Sequence, residues 1–225
     1  MQITVYGDSI LKGVLFENGK YVVEHGWEAR LAERFSLTVN NRSRFGSTIG
    51  KAMARIRRDS ESEPGEKEYA LLEFGGNDCD FDWAAVAAAP EEAHSCKTPP
   101  ERFLDCYREA IRLLRGSGRK PVLSTLPPIN ARLYLDFLCR KGLSRENILR
   151  WLGDVERIYR WQEGYSQLVT QIAREENVPL VDLRRPFLLD ARAPSQLLCA
   201  DGIHPSRLGQ DLIYGAFAQK AQALV

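Results

Sequence analysis

The sequence predicts an α/β fold in which a parallel β-sheet is covered on both faces by helices. Three observations carry this. Short β-branched or apolar runs alternate with longer stretches whose apolar residues recur at helical spacing. The run from Tyr69 to Phe74 is compact and mostly apolar, as a strand buried on both faces is. The chain has 225 residues, which suits one large α/β domain better than two.

Taken in order, Gln2 to Tyr6 reads as the first strand, with β-branched Ile3 and Val5, and Gly7 ends it. Trp27, Leu31 and Phe35 mark a helix from Gly26 to Phe35. Leu37 to Asn40 is a second short strand, and Ser47 or Thr48 caps a helix running to about Arg58. A polar stretch with Pro64-Gly65 is a loop before the buried third strand, which stops at Gly75-Gly76. Cys79 to Pro100 reads as a long irregular connection, a kind of segment that is usually functional. Phe103, Tyr107, Ala110, Ile111 and Leu114 define the next helix, and Pro121 to Thr125 a fourth strand. Ile129 to Gly153 interrupts the alternation with short helical patterns of its own and reads as a lid-like insertion. A long helix from Val155 to about Asn177, a fifth strand at Val178 to Asp182 and a final helix through Leu208, Ile213, Phe217 and Ala221 complete the chain. The whole, residues 1–225, is expected to be a single domain.

Composition narrows the function. Hydrophobic residues make up 44% and charged residues 27%, ordinary for a soluble globular protein. A net charge of +1 provides no field to draw the chain to nucleic acid or an anionic membrane. Arg55, Arg57 and Arg58 lie beside acidic residues and read as a solvated face. Five scattered cysteines (79, 96, 106, 139 and 199) form no disulfide framework and no C-x-x-C pair. With strand-like sequence directly after Met1 and no apolar run of membrane-spanning length, the expectation is a cytoplasmic protein.

Ligands of parallel sheets bind at the carboxyl ends of the strands. Ser9 follows the first strand, Gly46 the second and Asn77 the third, so all three belong on one rim, and His204 can return to it after the fifth. The residue types fit acyl transfer, which needs a nucleophile, a base, a group to orient the base and donors for an oxyanion. Ser9 in Gly7-Asp8-Ser9-Ile10 can be the nucleophile, although the same sequence makes an ordinary turn or helix cap. His204 in Asp201-Gly202-Ile203-His204-Pro205 can be the base, with Asp201 fixing its tautomer, although Asp-Gly is also plain turn chemistry. Of the other histidines, His25 lies in a polar stretch and His94 in the long connection. Gly75-Gly76-Asn77-Asp78 permits a sharp turn that leaves the Asn77 amide free to donate, and Gly46 offers an unobstructed backbone N–H.

In order and spacing these four segments resemble the blocks of the SGNH hydrolases, also called the GDSL esterase/lipase family. The third and fifth blocks match closely. Ile10 stands where the first block usually has Leu, and Ser47 where an acidic residue often follows the Gly of the second. The resemblance implies a three-layer α/β/α sandwich with five parallel strands in the order 2-1-3-4-5. It implies Ser9 as nucleophile, His204 as base and Asp201 as its orienter. It also implies an oxyanion hole of the Ser9 N–H, the Gly46 N–H and the Asn77 side chain, with neither metal nor organic cofactor. The expected substrate is a small-molecule ester with a small or medium acyl group. A carbohydrate O-acetylesterase, a lysophospholipase or thioesterase, and a silent binding module are the variants. Asp8, Asp80, Trp83, His94 and Tyr134 are the candidate substrate contacts. A Cys79–His94–Cys96 metal site has poor spacing. Tyr134, Phe137, Trp151 and Trp161 could equally line a pocket or fill a small satellite core.

Overall fold

The computed structural model describes residues 1–24 and 26–223; His25 lies outside the described residues. Five strands build the main sheet: β1 (Gln2–Gly7), β4 (Thr38–Asn41), β5 (Glu68–Glu73), β6 (Lys120–Ser124) and β7 (Leu180–Val181). Their order is β4-β1-β5-β6-β7, and every neighbouring pair is parallel. Counting sheet strands alone, this is the expected 2-1-3-4-5 arrangement. The second and third strands along the chain form a separate hairpin, β2 (Val14–Glu17) and β3 (Lys20–Val23), which the sequence expectations did not include. Its turn is Asn18-Gly19, with φ of 51° and 77°. Both residues are left-handed, as the turn that matches strand twist requires.

The two faces of the sheet follow from side-chain alternation along each strand. Tyr6, Ala70, Leu72 and Leu123 point to one side and pack with α2 (Ile49–Ser60), α4 (Pro100–Gly116) and α7 (Glu156–Glu175). Their neighbours Val5, Leu71, Val122 and Val181 point to the other and pack with α1 (Trp27–Phe35), α8 (Arg184–Leu189) and α10 (Arg207–Gln222). Two of these helices show the local chemistry that starts them. The Thr48 hydroxyl accepts from the Lys51 N–H at the head of α2, and Pro100 occupies the first turn of α4, where no N–H is needed.

A third apolar cluster sits over the rim of the sheet. It joins α3 (Trp83–Ala88) to α5 (Ala131–Arg140) and α6 (Arg145–Leu152), with Ile158 from α7. The connection from Cys79 to Pro100 is therefore less irregular than expected. Asp82 caps α3 by accepting from the Ala84 and Ala85 N–H groups, and four of the helix's six residues are alanine. Two further short helices, α8 and α9 (Pro194–Leu197), fill the path from β7 to His204.

Candidate active site

Four chain segments meet at the carboxyl end of the sheet. Directly after β1, the chain folds into a tight turn in which the Lys12 N–H donates to the Asp8 carbonyl and the Val14 N–H to the Ser9 carbonyl. The Asp8 carboxylate accepts from the Ile10 N–H at 2.8 Å, fixing the turn from inside. On the return path from β7, the Cys199 N–H donates to the His204 carbonyl at 2.7 Å, and Leu198 pairs with Pro205 in an isolated bridge. Gly202 lets this loop press against the start of α5. Its φ is +76°, and a Cβ there would lie 2.6 Å from the Tyr134 nitrogen. The Asn130 N–H donates to the Gly202 carbonyl at 2.8 Å, tying the insertion to the loop that carries His204.

His204 and Ser9 lie 195 positions apart in sequence, and the ring Nε2 is 2.9 Å from the Ser9 Oγ. The Nδ1 is 2.6 Å from Asp201 Oδ2. Asp201 is fully buried, and its Oδ1 accepts from the backbone N–H groups of Ile203 and His204 at 3.2 and 3.1 Å. A carboxylate held this way fixes the imidazole with its proton on Nδ1, leaving Nε2 to accept from the serine hydroxyl. Asn77 donates through Nδ2 to Asp8 Oδ2 at 2.9 Å. The amide nitrogen carries two hydrogens, so Asp8 takes one and aims the other. Ser9, Gly46 and Asn77 line the same cleft. Among the described residues neither the Ser9 nor the Gly46 N–H finds a protein acceptor.

The cleft encloses about 500 Å³ and runs from Ser9 beneath the insertion. All five expected substrate contacts line it, but they are differently placed. Asp8 is 1% exposed and engaged with Ile10 and Asn77, so it positions the amide and offers a substrate little surface. Asp80 is a hub. Its carboxylate accepts from the Trp83 Nε1, the Tyr134 hydroxyl and the Lys97 ammonium at 2.8, 3.1 and 2.7 Å. The His94 Nε2 bonds the Ala89 carbonyl, and its ring meets the Trp151 ring edge-on. Of the four insertion and helix aromatics, Tyr134, Trp151 and Trp161 line the cleft, whereas Phe137 packs in the cluster behind it against Phe16. Cys79, His94 and Cys96 also line the cleft, but no group of three metal-binding side chains forms among the described residues.

Two buried acidic residues near the site, Glu73 and Asp78, were given no role by the sequence reading. Glu73 ends β5 opposite Gly7, fully buried. Burial first, and then the nearby Asp8 charge, raises its carboxyl well above the usual range. Burial also raises Asp8, but the Ile10 and Asn77 donors offset part of that, so the proton of the pair rests on Glu73. Asp78, fixed by the Ile49 N–H at the head of α2, is pushed up to about 7, chiefly by burial. A folded state that retains a proton the unfolded chain releases loses stability as pH rises through that window. Glu73→Gln should therefore lose less melting temperature than the native chain between about pH 5 and pH 8. Parallel melting curves across that range would show that Glu73 is ionised in the fold.

The chain matches the model of the GDSL-like Lipase/Acylhydrolase family over residues 5–212. No curated protein matches it. Solved structures share its fold at low identity. An acetyl xylan esterase from Geobacillus stearothermophilus is 18% identical with a TM-score of 0.68, covering 98% of this chain and 94% of its own. An alpha/beta hydrolase enzyme from the metagenome of Lake Arreo, Spain, is 23% identical at 0.67, covering 100% and 96%. A lipase/acylhydrolase from Enterococcus faecalis is 16% identical at 0.65, covering 99% and 95%. With these goes a parallel sheet of matching class. No helix among the described residues is long and apolar enough to cross a membrane. The chain belongs to the GDSL-like lipase/acylhydrolase family and is a hydrolase acting on ester bonds.

Proposed function

We propose that the chain hydrolyses small-molecule esters with Ser9 as nucleophile, His204 as general base and acid, and Asp201 as the orienter of His204. The unbroken Ser9–His204–Asp201 hydrogen-bond chain, at 2.9 and 2.6 Å, carries this reading. Ser9 Oγ attacks the ester carbonyl while its proton passes to His204 Nε2. The carbonyl oxygen becomes an oxyanion that accepts from the Ser9 N–H, the Gly46 N–H and the Asn77 amide. The tetrahedral centre collapses, the ester C–O bond breaks, and His204 returns the proton to the departing alcohol. Water then attacks the acyl-enzyme, again giving its proton to His204, and the acid leaves as Ser9 recovers its hydrogen.

The acyl group fits the cleft as an apolar chain. Trp151, Trp161, Trp83 and Leu126 face it, and its polar atoms are largely spent on the protein itself. The Trp161 Nε1 donates to the Cys79 carbonyl and the Gln162 amide to the Pro127 carbonyl, while Asp80 is shared among three donors. A sugar in this position would find few free partners for its hydroxyls, and unpaired buried hydroxyls are costly. This favours a medium acyl ester over a carbohydrate O-acetyl group. The insertion at 129–153 serves as a wall of the acyl site within one SGNH hydrolase domain. The free state of all five cysteines fits a cytoplasmic location.

A fluorophosphonate probe is expected to label Ser9, which a silent binding module would not allow. Across p-nitrophenyl esters from acetate to palmitate, kcat/KM should peak at acyl chains of about four to eight carbons, the range a pocket of this size encloses. A peak at acetate, with activity on acetylated xylan, would instead favour the carbohydrate esterase.

A further inference from the structure

Two exposed aromatic side chains stand beside the histidine. Tyr21 is 40% and Phe45 53% exposed. The Tyr21 ring centroid lies 5.3 Å from that of His204, edge to face, and the Phe45 ring is nearly parallel to His204 at 6.1 Å. The two rings also touch each other, at 5.0 Å. Both line the cleft, yet neither Trp83, Trp151 nor Trp161 is within stacking distance of His204 among the described residues. The cleft thus has two aromatic groups, one beside the histidine and one away from it.

The hairpin places one ring of this pair. Tyr21 sits on β3 directly opposite Phe16 of β2, and the two rings pack at 5.0 Å. Phe16 is anchored behind by the Phe137 ring and by its own N–H donating to the Cys199 Sγ. Arg207 pairs with both Glu17 and Glu24, at the two ends of the hairpin. Burial and the Asp201 charge push the Tyr21 phenol up to about 12, so it stays neutral beside the site. Phe45 is set by the loop after β4, immediately before Gly46.

We propose that Tyr21 and Phe45 form the binding subsite for the alcohol half of the ester, and that this subsite selects alcohols carrying an aromatic ring. The inference rests on the roles assigned above to Ser9 and His204. His204 Nε2 must protonate the departing alkoxide, so the alcohol lies on the histidine side of Ser9, and the rings away from the histidine are left to the acyl chain. Exposed rings at this spacing gain from a third ring in offset or edge-on contact, a gain that a short alkyl alcohol does not provide. The same subsite receives any alcohol that attacks the acyl-enzyme. In that step the incoming hydroxyl gives its proton to His204 Nε2 and its oxygen bonds to the acyl carbon. The bond to Ser9 Oγ breaks, and Ser9 takes the proton back.

Competition for one acyl-enzyme tests this. The enzyme is acylated with p-nitrophenyl butyrate in an equimolar mixture of benzyl alcohol and ethanol, and the ratio of benzyl to ethyl butyrate is measured. Both esters arise from the same intermediate, so damage to His204 lowers both together and leaves their ratio unchanged. The native enzyme should favour the benzyl ester. Tyr21→Ala and Phe45→Ala should each lower the ratio about tenfold, and Tyr21→Phe should preserve it. A native ratio near one, or an unchanged ratio in both alanine variants, overturns the subsite. Failure of the underlying hydrolase reading would look different, because the native enzyme would then release no p-nitrophenol at all.

Discussion

Replacing Ser9 by alanine is expected to lower kcat for a p-nitrophenyl ester by about 10⁴-fold or more, with little change in melting temperature. The size follows from what the hydroxyl does. Without it no acyl-enzyme forms, and water would have to attack the carbonyl unaided by covalent catalysis. The oxyanion donors and the cleft remain, so residual catalysis over water should survive. The small structural cost follows from the contacts, because the Ser9 Oγ bonds His204 Nε2 and the turn is held by Asp8 and backbone N–H groups instead. Asn77→Ala makes the internal comparison. In the proposed mechanism it removes one oxyanion donor, and kcat should fall only about 10²- to 10³-fold, as removal of a single donor typically does. Turnover by a purified, folded Ser9→Ala protein at near-native rates would remove Ser9 from the mechanism.

The parts of the site that sequence makes legible are those fixed by strand ends. Ser9, Gly46 and Asn77 each follow a strand of a parallel sheet, and topology alone puts such residues on one rim. His204 is legible for a weaker reason. Its loop follows β7 through α8 and α9, and only the Asp-x-x-His spacing and the scarcity of histidine single it out. What local patterns do not reveal is how distant segments bring two buried carboxyl groups together or meet at one carboxylate. Glu73 reads as an odd polar residue in an apolar strand. Its meaning arises only when β5 pairs with β1 and sets it opposite Gly7, beneath Asp8. Asp80 reads as a pocket contact, yet it holds Trp83, Tyr134 and Lys97 together from three segments. The hairpin is a different case. Asn18-Gly19 between Phe16 and Tyr21 is a strong local signal for such a turn, and the sequence contains it in full. It falls outside the strand–helix alternation that organises the rest of the chain, and the consequence is that the rings beside His204 are the part of the site least apparent from sequence.

Asp201→Asn is expected to lower kcat by about 10⁴-fold while leaving the loop in place. The contacts of the two Asp201 oxygens separate these effects. Oδ1 accepts from the Ile203 and His204 N–H groups, a structural task that an amide oxygen performs as well. Oδ2 accepts from His204 Nδ1, and here an amide nitrogen would donate instead. His204 must then carry its proton on Nε2, facing Ser9 Oγ, where it has no lone pair left to accept the serine proton. The imidazolium formed during reaction would also lose its buried counter-charge, since Asp201 is fully enclosed. Two measurements distinguish this from simple unfolding. Fluorophosphonate labelling of Ser9 should slow in proportion to kcat, because both depend on proton removal from the same hydroxyl. The melting temperature should stay near the native value, because the backbone bonds to Oδ1 persist. An Asp201→Asn enzyme within tenfold of native kcat would show that His204 finds its tautomer without the carboxylate, and that Asp201 shapes the loop only.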